Sequence, residues 1–133
     1  MKNKIKKVII PVIAMLVMSP IPSAAQTASY YFALEEGQYQ IKADASKADN
    51  EQNYYVTQTD SAVPTGEKPR TRYYSYYNGN RVSKPLNLRC DDFNRHFEAY
   101  TINAPAGGGY QLFGEYVSGT GSRTSVIWGR WTP

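Results

Sequence analysis

The stretch RTRYYSYYNGNRVSKPLNLR, residues 70–89, decides the fold. Aromatic and β-branched residues flank Asn78-Gly79, the dipeptide best suited to the two positive φ angles of a tight hairpin turn. Arg70–Tyr77 therefore reads as one strand and Arg81–Cys90 as its antiparallel partner. Pro85 has no N–H to donate, which places the second strand at an edge or puts a bulge in it. With a two-residue loop, Tyr77 faces Asn80 and Tyr76 faces Arg81. Period-two alternation then sorts the side chains. Tyr73, Tyr77, Val82, Leu86 and Leu88 share one face, apolar apart from Lys84. Arg70, Arg72, Tyr74, Tyr76, Arg81, Ser83, Asn87 and Arg89 share the other. A three-residue loop would flip one strand and destroy this sorting.

Outward from the hairpin, short aromatic segments alternate with turn residues. Tyr30–Leu34 puts Tyr30, Phe32 and Leu34 on one face. Glu35-Glu36-Gly37 is a turn, and Gln38–Lys42 is a strand carrying Tyr39 and Ile41. Residues 43–53 are polar, lack an apolar stripe and read as a loop. Tyr54–Gln58 is a third strand, and Ser61–Pro69 is a loop broken by Pro64, Gly66 and Pro69. After the hairpin come a turn at Asp91–Arg95, a strand at Phe97–Ile102 and a loop at Ala104–Gly109. Tyr110–Val117 and Thr124–Trp131 form a last hairpin around Ser118–Arg123. About eight short strands at regular spacing predict an all-β fold, a single antiparallel β-sandwich. Trp128 and Trp131 lie three apart, so a regular strand sends them to opposite faces. One belongs in the core, and a two-tryptophan platform would need a bulge at Gly129.

The N-terminus reads as a cleaved signal peptide, residues 1–25. Lys2, Lys4, Lys6 and Lys7 form a basic region before the apolar run Val8–Met18, and Ser23-Ala24-Ala25 supplies small residues for cleavage. That run is about half the ~20 residues a membrane span needs. The expected product is a secreted domain of residues 26–133, beginning at Gln26 and carrying no transmembrane anchor. Its only cysteine is Cys90, which excludes an internal disulfide and favours a buried, inert thiol.

Removing the signal leaves 11 Lys+Arg against 11 Asp+Glu, so the domain is formally neutral. Together with export, this argues against nucleic acid as a partner. The charge is unevenly placed. Residues 26–67 carry a net −5, residues 90–133 a net −1, and residues 68–89 six bases and no acid. Those bases are Lys68, Arg70, Arg72, Arg81, Lys84 and Arg89. On the outer hairpin face, Arg70, Arg72, Arg81 and Arg89 surround Tyr74 and Tyr76. Guanidinium forks suit phosphate and carboxylate, and phenol rings offer flat amphipathic surface. These six residues are the candidate ligand-binding set. The same charges also serve a solvated strand face by discouraging edge-to-edge pairing.

Constellations for catalysis are thin. Cys90 and His96 are the only members of their kinds, and a nucleophile–base pair would need them together. Asp91, Asp92 and Asn94 match no calcium loop, and one histidine with one cysteine cannot build an ordinary zinc site. Gly107-Gly108-Gly109 precedes a strand, not the helix of a phosphate-binding loop. No catalytic residue, metal or cofactor is assigned, and the chain is not read as an enzyme.

Several segments resemble those of a family of small exported proteins from Gram-positive bacteria. They are the lysine-led signal, Tyr30-Tyr31-Phe32, the Tyr/Arg hairpin leading into Lys84-Pro85-Leu86-Asn87-Leu88, and Trp128-Gly129-Arg130-Trp131. Tyr74-Ser75-Tyr76-Tyr77-Asn78 is also similar to a segment of the lactococcin 972-type bacteriocins, where it leads into a β-hairpin. That resemblance implies a secreted β-sandwich acting at a cell-wall precursor, and it carries over no functional residue. The expected function is a secreted, bacteriocin-like interaction protein. It would bind an anionic envelope polymer, lipid head group or cell-wall precursor through the basic hairpin. The alternatives are a carbohydrate-binding module using exposed tyrosines and, last, a Cys90-dependent enzyme.

Overall fold

The computed structural model describes residues 26–35, 37–63, 69–118 and 124–133. Residues 1–25, expected as a signal peptide, lie outside the described residues, as do Glu36 of the expected 35–37 turn, residues 64–68 of the expected loop with Lys68, and residues 119–123 of the last expected hairpin turn. Among the described residues the chain is all β, with nine strands and no helix. They are β1 (Ala28–Leu34), β2 (Tyr39–Ser46), β3 (Asn53–Ala62), β4 (Arg70–Tyr77), β5 (Asn80–Arg81), β6 (Leu86–Arg89), β7 (Arg95–Ala99), β8 (Gly109–Ser118) and β9 (Ser125–Thr132).

Two antiparallel sheets form a sandwich. One runs β1-β9-β3-β7, and the other runs β2-β8-β4, with β5 and β6 both pairing with β4. Inward-facing side chains of both sheets make one core. It includes Tyr30, Phe32 and Leu34 from β1, Tyr54 and Val56 from β3, and Ile127 and Trp131 from β9. Tyr73, Leu86, Leu88, Leu112 and Tyr116 meet them from the other sheet. Burying each such aliphatic or aromatic side chain contributes about 1.5–3 kcal/mol. Two strand glycines make room for the large rings. A Cβ on Gly114 would collide with the buried Phe32 ring, and one on Gly129 with the Tyr30 ring.

The hairpin turn forms as its sequence requires. Asn78 and Gly79 have φ of 50° and 76°, and Tyr77 pairs with Asn80 and Tyr76 with Arg81. The returning strand is not continuous, however. Val82 N still donates to the Ser75 carbonyl at 2.9 Å, and Ser83–Pro85 then swings away from β4 towards the end of β7, where Ser83 bridges to Tyr100. Lys84 N donates to the Ala99 carbonyl at 3.0 Å, and Thr101 N to that of Val82 at 2.8 Å. Pro85 stands where the chain turns back. When pairing resumes, Tyr73 faces Leu86, where an uninterrupted hairpin would give Lys84. The slip is two residues. An even slip preserves facing, so Tyr73, Val82, Leu86 and Leu88 are buried and Tyr77 packs half-buried against them. Ser83, assigned to the outer face, is one exception to the sorting. It is buried, and its hydroxyl accepts from Ser75 N at 2.8 Å.

Other boundaries differ from the sequence expectation. Residues 43–46 are strand, not loop. A bulge between Ile41 and Ala43 lets residues of one parity change faces. Tyr39 and Ile41 point to solvent at 59% and 49% exposure, while Ala43 and Ala45 enter the core. A second bulge, between Gln58 and Asp60, carries β3 on to Ala62. β7 starts two residues early, at Arg95, and ends at Ala99. Trp131 is 1% exposed and Trp128 is 37% exposed, on opposite faces of β9.

Candidate functional site

The six residues of the candidate set come together on the outer face of the β2-β8-β4-β6 sheet. β4 and β6 set Arg70 opposite Arg89 and Arg72 opposite Asn87. The tight turn sets Tyr76 opposite Arg81. Four guanidiniums thus spread along one hairpin face, as alternation requires.

Their surroundings differ. Arg72 Nε donates to Asn87 Oδ1 at 3.2 Å, and its Nη1 lies 3.8 Å from Glu115 Oε2 on β8. Arg89 forms a two-pronged contact with Asp91, with Nε and Nη2 at 3.1 and 3.0 Å from the carboxylate oxygens. Surface pairs such as Arg89–Asp91 are worth only about 0–1 kcal/mol, and the longer Arg72–Glu115 contact is part-buried. Arg70 and Arg81 have no carboxylate partner among the described residues. The Arg81 guanidinium carbon stands 4.6 Å from the centroid of the Tyr74 ring, a cation–π arrangement that holds it in place.

That stacking corrects one expectation. Tyr74 is 7% exposed, so its ring supports Arg81 and is not an open platform. Alternation placed it on the outer face, where the guanidinium now covers it. Tyr76 is half-buried for a similar reason. Its ring centroid is 4.9 Å from that of Phe113, and partial desolvation raises its phenol above the ordinary value, against a smaller lowering by Arg81. On its other side Phe113 stacks on Tyr39, with centroids 5.0 Å apart. Tyr76, Phe113 and Tyr39 make an aromatic ladder across β4, β8 and β2, flanked by exposed Ile41. Sequence reasoning missed this ladder. The signal was the outward facing of Tyr39 and Ile41, which depends on the β2 bulge.

The remaining chemistry-bearing residues are occupied locally. Cys90 is buried in the core cluster. His96 Nε2 is 2.8 Å from Asp92 Oδ2. Asp92 Oδ1 also accepts from the backbone N and side-chain amide of Asn94, both at 3.1 Å. The His96 bond, and then the Asn94 bonds, hold the Asp92 carboxyl below its ordinary range. Among the described residues, no three His, Cys, Asp or Glu side chains converge on a point where they would hold a metal ion. In comparisons with protein-family models, curated proteins and solved structures, nothing matches this chain.

Proposed function

We propose that this is a secreted, non-enzymatic interaction protein, bacteriocin-like in acting at the cell envelope. Its ligand is an anionic component there: a phosphate-bearing polymer, a lipid head group or a cell-wall precursor. The observation that carries this reading is the alignment of Arg70, Arg72, Arg81 and Arg89 on one sheet face. Arg81 is preset over Tyr74, and forked donors recognise phosphate oxygens in pairs. The ladder of Tyr39, Phe113 and Tyr76 supplies apolar contact beside the charges.

A second reading, binding of a neutral glycan, is favoured by that same ladder, because exposed rings stack on sugar faces. Pull-down with isolated cell envelopes separates the two. Arg70→Ala with Arg72→Ala is expected to abolish binding of a folded domain. Tyr39→Ala with Phe113→Ala is expected to abolish it only if a neutral glycan is the ligand.

A further inference from the structure

The opposite side of the sandwich carries a separate, polar cleft. On the outer face of the β1-β9-β3-β7 sheet, Thr57 of β3 lies between Arg95 of β7 and Arg130 of β9 in register. These three residues, with Thr27, Tyr55 and Thr132, line a cleft of about 270 Å³. The Arg95 guanidinium carbon is 3.9 Å from the Tyr55 ring centroid. Tyr55 is itself pinned through its hydroxyl to Glu51. Thr27 and Thr132 share a hydroxyl–hydroxyl contact of 2.9 Å at the rim. Among the described residues no carboxylate lines the cleft, and neither arginine has an ion-pair partner.

Two forked cations beside threonine hydroxyls suit a compact oxyanion. What lies next to them narrows the ligand. Trp128 precedes Arg130 by two residues on the same face of β9, a distance of about 7 Å. It is partly exposed and packs edge-on against exposed Tyr31, with centroids 5.5 Å apart. Across the bulge in β3, Asp60 pairs with Trp128 and presents an exposed carboxylate. The surface thus runs from a cationic end, past a partly exposed indole, to the Asp60 carboxylate, whose Oδ1 accepts from Ser61 N at 2.8 Å and whose other oxygen can accept from hydroxyls. A negatively charged sugar has this sequence of features.

We infer that this face binds a sugar bearing an oxyanion, phosphate or carboxylate. The anion sits between Arg95 and Arg130, the ring lies over Trp128, and hydroxyls donate to Asp60. The site is independent of the hairpin face, on the other sheet.

Calorimetric titration of the purified protein with glucose 6-phosphate, glucuronate, inorganic phosphate and glucose tests it. At least one anionic sugar is expected to saturate a single site, about tenfold or more tighter than phosphate or glucose. Which of the two binds better assigns phosphate or carboxylate. Arg130→Gln, at an exposed position with no ring contact, is expected to weaken binding about tenfold. Arg95→Lys, which keeps the charge and loses the fork, and Trp128→Ala should each weaken it several-fold. Arg70→Ala with Arg72→Ala should leave it unchanged. Failure of both anionic sugars to saturate, equal affinity for phosphate alone, or full binding by folded Arg130→Gln would overturn the assignment.

Discussion

The hydroxyl of Tyr30 on β1 donates to the hydroxyl of Tyr73 on β4 at 3.0 Å, joining the two sheets through the middle of the core. The chain continues across the interior. Tyr73 donates to Gln58 Oε1 at 2.8 Å, and Gln58 Nε2 donates to the Arg89 and Asp92 carbonyls, both at 2.7 Å. Tyr54 adds bonds to the Tyr73 and Lys84 carbonyls. Tyr30, Tyr54 and Tyr73 are tolerable in the core because their phenols find partners; an unpaired one would cost desolvation without return.

Tyr73→Phe removes the middle of this chain and strands the Tyr30 donor and the Gln58 acceptor. The expected cost is about 1–3 kcal/mol. Tyr30→Phe removes only the first donor and should cost less. Urea unfolding of both variants measures the difference, and a Tyr73→Phe protein as stable as the parent would mean the chain is not formed.

Burial raises the phenols of Tyr30, Tyr54, Tyr73 and Tyr100 above their ordinary value of 10.0. A folded-state value above the unfolded one means stability that is full below pH 10 and is lost as pH rises beyond it. These four phenols should therefore ionise together with unfolding. Absorbance at about 295 nm, the phenolate band, should show a late step that coincides with loss of near-ultraviolet circular dichroism. Ionisation of every tyrosine while that dichroism persists would contradict the burial.

Lys47 is fully buried, 3.2 Å from Asp49 and 5.4 Å from the centroid of the Tyr100 ring. Asp49→Ala leaves this cation without its carboxylate. Because Asp49 is half exposed, the cost should fall below that of a fully buried pair, at about 1–3 kcal/mol. Lys47→Met with Asp49→Ala should recover most of it. The Asp49 carboxyl is held below its ordinary value of 3.8, first by the Glu51 backbone N–H and then by Lys47. Its contribution is therefore present above pH 4 and lost on acidification through the lower folded value. Thermal melts of the parent and Asp49→Ala should converge once the pH has fallen below that lowered folded value.

Gly114→Ala drives a methyl into the fully buried Phe32 ring. Overpacking of this kind costs about 1–3 kcal/mol. A lower denaturation midpoint with an unchanged slope is expected. A neutral result would mean the two sheets stand further apart at this point.

The parts of the fold legible in the sequence were those set by local chemistry. Asn78-Gly79 determined the turn, and the facing of Tyr73, Leu86 and Leu88 held because the slip at Pro85 was even. Trp128 and Trp131 separated by simple alternation. Bulges were not legible, since no single residue announces them, and that at Ile41/Ala43 hid both the end of β2 and the exposure of Tyr39. Non-local adjacency was equally hidden. Tyr39, Phe113 and Tyr76 meet only because β8 lies between β2 and β4, and Arg95 meets Arg130 only because β3 lies between β7 and β9. Tyr74 stands on the predicted face, yet its burial follows from the position that Arg81 takes over it.

Under the proposed function, the outer hairpin face binds an anionic envelope component by charge. The most direct measurement is the affinity of the purified protein for isolated envelopes across a salt series. Exposed charges are screened over about 10 Å at 0.1 M ionic strength and about 3 Å at 1 M. Affinity is expected to fall steadily with salt, and an Arg70→Ala, Arg72→Ala protein is expected to fold but not to bind even at low salt. Affinity unchanged from low to high salt, with full binding by the double variant, would contradict it.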